Sequence, residues 1–189
     1  MNVARRTFLS LAVGAAFAPT GLASSALAIP VAIKSVAEAE VRRAFIHNLH
    51  TGETLNAVYF EGGRYVPDAL AEAMRVMRDW RNGQEHAMDP RLFDALHGIR
   101  ETLGVNKPMQ LISGFRSPAT NARLHAESGQ VAAHSQHLLG KASDIRIEGV
   151  ALDHLHRAAL SLRAGGVGYY PQSDFVHVDV GPVRQWSGT

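Results

Sequence analysis

Asp174-Phe175-Val176-His177-Val178-Asp179-Val180 alternates in steps of two along most of its length. On a β-strand that spacing puts Val176, Val178 and Val180 on one face and Phe175, His177 and Asp179 on the other. The valines face a core, and His177 with Asp179 is left on the opposite side. Asp174 has the wrong parity to join them directly. It lies in the turn before the strand, from where its carboxylate could lean over a ligand bound to His177.

Outward from this strand, Pro171-Gln172-Ser173 supplies a turn and Val167 to Tyr170 a partner strand. Leu152, Leu155, Ala159 and Leu162 recur at helical spacing, a helix capped by Gly165-Gly166. Ile145-Arg146-Ile147 reads as a strand, and so does Met109 to Ile112. Ser117-Pro118 starts a helix running towards Glu127, which Ser128-Gly129 breaks. Asp89 is a natural N-cap and Pro90 a natural first helical residue for Leu92, Leu96, Ile99 and Leu103, and Gly104 stops that helix. Pro67 opens another, whose stripe of Leu70, Met74, Met77 and Trp80 reads as core packing. Ala44 to Leu49 and Thr54 to Phe60 form a hairpin around His50-Thr51-Gly52-Glu53, ended by Gly62-Gly63. No period of 20–50 residues repeats. Helices and antiparallel hairpins mix without a βαβ rhythm, so the chain reads as one small α+β domain, an antiparallel sheet flanked by helices. Gly165-Gly166-Val167-Gly168 follows a helix and precedes a strand, the reverse of the order a phosphate-binding loop needs.

The N-terminal segment has its own character. Arg5-Arg6-Thr7-Phe8-Leu9 precedes an apolar run from Phe8 to Ala18, Ala26-Leu27-Ala28 forms a small-x-small cleavage pattern, and no acid occurs before Glu38. That order describes an export signal over residues 1–28, too short in its apolar core to span a bilayer, and the paired arginines resemble a twin-arginine signal. A linker over 29–40 and a domain over 41–189 follow. A periplasmic destination is expected, with no membrane span in the mature chain. The signal carries two arginines and no acid, so its removal brings the formal charge of +2 to zero. The basic balance therefore gives no support to a nucleic-acid partner. With no cysteine, the exported chain has neither disulfide staples nor an acylation site for a lipid anchor.

Three stretches carry chemistry: Ser113-Gly114-Phe115-Arg116-Ser117, the run from Ser135 to Asp144, and Asp174 to Asp179. They offer two histidines and a carboxylate that could close on one metal, with a spare acid and an arginine beside them. Structural zinc sites are filled by four protein ligands, often cysteines, whereas catalytic ones keep a position open for water. A zinc in this cysteine-free chain would be catalytic. Gly140 and the β-branched residues after Asp144 argue against one helix over His137 and Asp144. His137 is placed on a turn and Asp144 at the mouth of the following strand. Of the ten histidines, His47, His50, His86, His97, His125, His154 and His156 carry no site signal, and His134 is undecided because it lies so near His137. Spacing alone leaves two readings open for His137, Asp144 and His177, a metal site or a coincidence.

The S-G-F-R-S start, the S-x-H-x-x-G-x-A-x-D core and the D-x-x-H-x-D end resemble the zinc peptidases of the D-alanyl-D-alanine carboxypeptidase and phage L-alanyl-D-glutamate endolysin group. Asn48 to Glu53, Arg64 to Asp68, Ile112 to Asn121 and Gly166 to Pro171 resemble its exported YcbK-like branch, over roughly residues 41 to 186. The resemblance implies a hedgehog/DD-peptidase-like fold and one Zn2+ per chain held by His137, Asp144 and His177. It implies Asp174 as general base, since the histidine that other members carry two residues before the last ligand is Phe175 here. It implies Arg116 as the group that holds a substrate carboxylate or polarises the scissile carbonyl, and Ser135 as a weaker substrate contact. Asp179 is taken as a partner to a ligand. The expected activity is hydrolysis of peptidoglycan peptide stems or crosslinks by a monomer, an endopeptidase rather than a carboxypeptidase trimming stems. The competing readings are a catalytically silent zinc-bearing wall-binding module and a metal-free interaction domain.

Overall fold

The computed structural model describes residues 40–128 and 131–188; the expected signal peptide and nearly all of the linker lie outside the described residues. Strand β1 (Arg42–Asn48) buries alternate residues, Ala44, Ile46 and Asn48, and pairs antiparallel with β2 (Thr54–Glu61), giving the expected hairpin. After Gly62-Gly63 the chain does not leave the sheet. It adds a two-residue edge strand, β3 (Arg64–Tyr65), too short to be read from a period-2 pattern.

Helix α1 (Pro67–Val76) starts at the expected proline but stops earlier than the Leu70 to Trp80 stripe implied. Its buried side chains are Ala69, Ala73 and Val76, with Met77 following. Trp80 is 37% exposed, stacks on His50 with ring centroids 4.0 Å apart, and carries the Arg81 guanidinium over its ring. The physical reason is Asp79, which turns inward and donates its N–H to the Gln84 carbonyl rather than to Arg75 four residues back, breaking the helical path. Helix α2 (Pro90–Leu103) is capped as its sequence demands. The Asp89 carboxylate accepts the Arg91 N–H at 3.0 Å, and Gly104 closes the helix at φ 62°.

Strand β4 (Met109–Ser113) leads into α3 (Pro118–Ser128); Gly129, expected to break that helix, lies outside the described residues. A 3-10 turn (Gln136–Leu139) then precedes β5 (Ala142–Arg146). β5 starts earlier than expected, so Asp144 sits in its middle rather than at its mouth, and Ile147 falls beyond its end. Helix α4 (Leu152–Leu162) is closed by Arg163 at φ 50°, not by Gly165-Gly166, because Gly166 already belongs to β6 (Gly166–Tyr170). β7 (Phe175–Asp179) is followed by a further strand, β8 (Arg184–Ser187), that periodicity did not reveal.

The eight strands form one sheet in the order β3-β2-β1-β4-β5-β7-β6-β8. Pairing is antiparallel except for β1 with β4 and β6 with β8. Helices α2 and α4 pack on each other and cover the valine face, α2 against β1 and β7, α4 against β6 and β7. Leu92, Ile99, Leu155, Ile145, Val176 and Val178 form the centre of that core. The Asp94 carboxylate ties the hairpin edge to α2 by accepting from Arg42, Tyr59 and Tyr65. The small α+β domain expected from the sequence is present. Among the described residues no helix is long and apolar enough to cross a membrane.

Candidate active site

The face of β5 and β7 turned away from the helices carries Asp144, His177 and Asp179, all buried. Antiparallel register sets Asp144 directly opposite His177. Such opposed pairs bring side chains within reach of one another. The third member arrives by a separate route. Ser135 caps the 3-10 turn by accepting the His137 N–H, and the turn delivers His137 over the same two strands.

His137 Nδ1 donates to the Gly114 carbonyl at 2.6 Å, which leaves Nε2 as the free lone pair. Nε2 lies 3.2 Å from Asp144 Oδ1 and 3.1 Å from His177 Nδ1, and His177 Nδ1 lies 2.8 Å from Asp144 Oδ1. One ligand atom from each residue therefore falls within 4.8 Å of the others. The far nitrogen of His177, Nε2, donates to Asp179 at 3.1 Å. Each imidazole is thus held by an acceptor on one nitrogen and presents the other to a common point, the arrangement that orients metal-ligating histidines.

Electrostatics agree with that geometry. Burial pushes the His137 pKa down to about 4, so its imidazole is neutral and its lone pair available. Burial opposes the charge on Asp144, but His137 and Arg116 outweigh it and hold the carboxyl well below the usual range. Burial also opposes protonation of His177, yet its hydrogen bonds to Asp144 and Asp179 prevail and raise its pKa above the ordinary value. Asp179 is likewise kept ionised against its burial by His177, Arg184 and the N–H groups of Gly181 and Gly166.

Arg116 donates from Nε to Ser113 Oγ at 2.9 Å and from Nη2 to Asp144 Oδ2, so it first holds the Asp144 carboxylate and only then faces the cleft. Its position is set from below. The buried Asp79 carboxylate accepts both the Ser117 N–H at 2.9 Å and the Ser117 hydroxyl at 2.8 Å. Sequence reasoning missed Asp79 because its partner is 38 residues away. Gly114 has no room for a side chain: a Cβ there would stand 2.4 Å from the Met77 carbonyl oxygen. Gly114→Ala is expected to displace the very carbonyl that orients His137. Thermal unfolding and zinc content should both fall, and a variant with unchanged melting and full zinc would refute this reading.

A cleft of about 330 Å³ opens over His137, Asp144 and His177. Arg116, His134, Ser135 and Gln136 line it together with Tyr170, Phe175, Arg184 and Trp186. His134, undecided from sequence, is thus on the cleft, whereas none of the seven histidines without a site signal lines it. Asp174 is not brought in. It sits in the turn before β7 at φ 52°, its side chain 60% exposed and paired with Arg146. Trp186 and Arg184 come from β8, which the sequence did not signal.

Residues 36–186 match the family described as peptidoglycan L,D-endopeptidase MepK. The chain belongs to that family. It is 45% identical over 185 residues to the peptidoglycan L,D-endopeptidase MepK of Escherichia coli K12, covering 96% of each chain. It is 42% identical over 185 residues to the probable peptidoglycan L,D-endopeptidase MepK of Haemophilus influenzae, covering 97% of this chain and 96% of that one. The relatives extend over nearly the whole sequence, and the resemblance read from the three motifs belongs to the same group of peptidases.

Proposed function

We propose that this protein is a zinc-dependent peptidase that hydrolyses peptidoglycan peptides as an L,D-endopeptidase, with His137, Asp144 and His177 as the ligands of one zinc ion. The observation that carries the reading is the buried triangle of ligand atoms at the floor of an open cleft, in a chain so similar to proteins named for that activity. Two imidazoles and a carboxylate, each fixed by a further hydrogen bond, suit zinc, which prefers such a set with one position left for solvent.

Zinc, when bound, supplies a Lewis acid and brings the pKa of a water molecule towards neutrality. The chain supplies the rest. Asp179 keeps His177 Nδ1 aimed inward by accepting from Nε2, and the Gly114 carbonyl does the same for His137. Arg116 neutralises Asp144 and turns its remaining N–H groups to the cleft, where a substrate carboxylate or a developing oxyanion is the matching acceptor. Ser135 works chiefly through its cap on the 3-10 turn. Asp174 takes a proton from the water that attacks the amide carbon and delivers it to the departing amine nitrogen as the C–N bond breaks. To do so it exchanges its Arg146 partner for that water. The pair is exposed on both sides, and such pairs contribute roughly 0–1 kcal/mol, so little opposes the exchange.

Digestion of isolated peptidoglycan by the zinc-loaded protein, with fragments resolved by mass, tests the activity. Release of crosslinked fragments as monomers is expected. Trimming of single stems alone would make the protein a carboxypeptidase, and zinc binding without any cleavage would make it a wall-binding module. We also propose export with removal of residues 1–28. N-terminal sequencing of the protein recovered from the periplasm should begin near Ile29, and an intact Met1 in that fraction would refute cleavage. Replacing Arg5 and Arg6 with lysines should block export, and undiminished export would exclude the twin-arginine route.

A further inference from the structure

The flank of the cleft opposite Arg116 is aromatic. In the sheet, Arg116 follows β4, the ligands Asp144 and His177 stand on β5 and β7, and Tyr170 and Trp186 stand beyond them on β6 and β8. Trp186 pairs with Gly168 and lies against it so closely that a Cβ there would come 2.6 Å from the indole. Its ring tilts onto the His177 ring, centroids 5.2 Å apart. The Tyr170 ring stacks on Phe175 at 4.5 Å and 19°, which fixes its direction.

The one polar contact between these rings runs from Trp186 Nε1 to the Tyr170 hydroxyl at 2.8 Å. Its direction is certain from chemistry. An indole N–H only donates, so the phenolic oxygen accepts, and the phenol's own hydrogen remains to be given elsewhere. Among the described residues no acceptor takes it. A half-buried hydroxyl, held by a stacked ring and a donor behind it, therefore offers one hydrogen bond into a cleft whose floor is the ligand triangle.

Resting on the peptidase reading above, we propose that Tyr170 is a catalytic hydrogen-bond donor to the carbonyl oxygen of the scissile peptide bond, with Trp186 as the residue that orients it. A peptide presents carbonyl oxygens as its acceptors, and the charge that gathers on the attacked one makes it a stronger acceptor in the transition state than in the bound substrate. Tyr170 and Arg116 then approach the reacting centre from opposite flanks. No bond to Tyr170 is made or broken; the proton stays on its oxygen.

The test compares zinc-loaded wild type with Tyr170→Phe and Trp186→Phe on a crosslinked stem-peptide dimer purified from isolated peptidoglycan. Tyr170→Phe keeps the ring on Phe175 and removes only the hydroxyl. Its kcat is expected to fall by about 100- to 1000-fold, the usual loss for one such donor, with KM within about twofold, and with zinc content and melting temperature unchanged. Trp186→Phe keeps a ring beside His177 but frees the hydroxyl to rotate, so a smaller fall in kcat is expected. Wild-type kcat in Tyr170→Phe overturns the proposal. So does a loss confined to KM, or a loss of zinc or stability that accounts for the fall. Should wild type cut nothing while holding zinc, the peptidase reading fails and takes this role with it, an outcome distinct from an active wild type beside an unimpaired Tyr170→Phe.

Discussion

His177→Ala is expected to empty the metal site and abolish hydrolysis of peptidoglycan peptides. The substitution deletes one of three ligand atoms and leaves Asp144 facing a space where one of its hydrogen-bonding partners stood. The Asp179 carboxylate loses the imidazole it orients but keeps Arg184, Gly166 and Gly181, so the sheet around it has reason to survive. Elemental analysis of the purified variant, beside circular dichroism to verify folding, reads the result. Full zinc occupancy in a folded His177→Ala protein would sink the ligand assignment. Asp179→Asn should be milder, weakening zinc by about 10- to 100-fold, the usual effect of removing a ligand's partner. His50→Ala should leave zinc untouched, since His50 is engaged with Trp80 and the Ile112 carbonyl. Acid should also release the metal. Protons and zinc compete for His177 Nδ1, and its raised pKa means that protonation begins above the ordinary imidazole value of about 6.5. The apparent zinc affinity is therefore expected to hold at alkaline pH and to weaken progressively as pH falls below that raised value, with release of the ion at lower pH.

Asp174→Asn separates binding from chemistry. Its carboxylate contacts none of the three ligands and is paired with Arg146 at the surface, so zinc should be retained in full. As the general base, its loss should lower kcat by about two to four orders of magnitude. Loss of metal from this variant with retention in Asp144→Asn would reverse the two roles. Near-normal cleavage with zinc intact would transfer the base to another group, and the structure alters which one comes next. Asp179 shares a strand face with His177, yet it is fully buried and accepts from His177, Arg184, Gly166 and Gly181. His134 lines the cleft and is exposed, so His134→Ala is the companion experiment.

What the sequence made legible was local. The Asp89-Pro90 start of α2, its Gly104 stop and the hairpin turn over residues 50–53 are settled within a few residues, and all are found as expected, the turn opening one residue early at Leu49. The valine alternation in β7 places His177 and Asp179 correctly because a strand has only two faces. Features decided by distant partners were not legible. Trp80 left the core because Asp79 binds Ser117, and β8 pairs with β6 through a register that Arg184-Gln185-Trp186-Ser187 does not announce. Asp174 was placed correctly in its turn. Its partner Arg146, 28 residues earlier, is set by the neighbouring strand. Arg116 was expected to face substrate; its first engagement is Asp144, a contact that needs the β4–β5 pairing to exist.

The β6–β8 pairing bears on how the molecule comes into being. A chain leaves the ribosome N-terminus first, and Arg184 and Trp186 leave after every other side chain of the cleft. The strands that carry Asp144 and His177 can pair before then, but the guanidinium on Asp179 and the indole against His177 and Tyr170 arrive only with those late residues. A chain without β8 would hold His137, Asp144 and His177 in a loosened, half-walled groove. The cleft is thus walled only once β8 has paired with β6, however early the other strands meet.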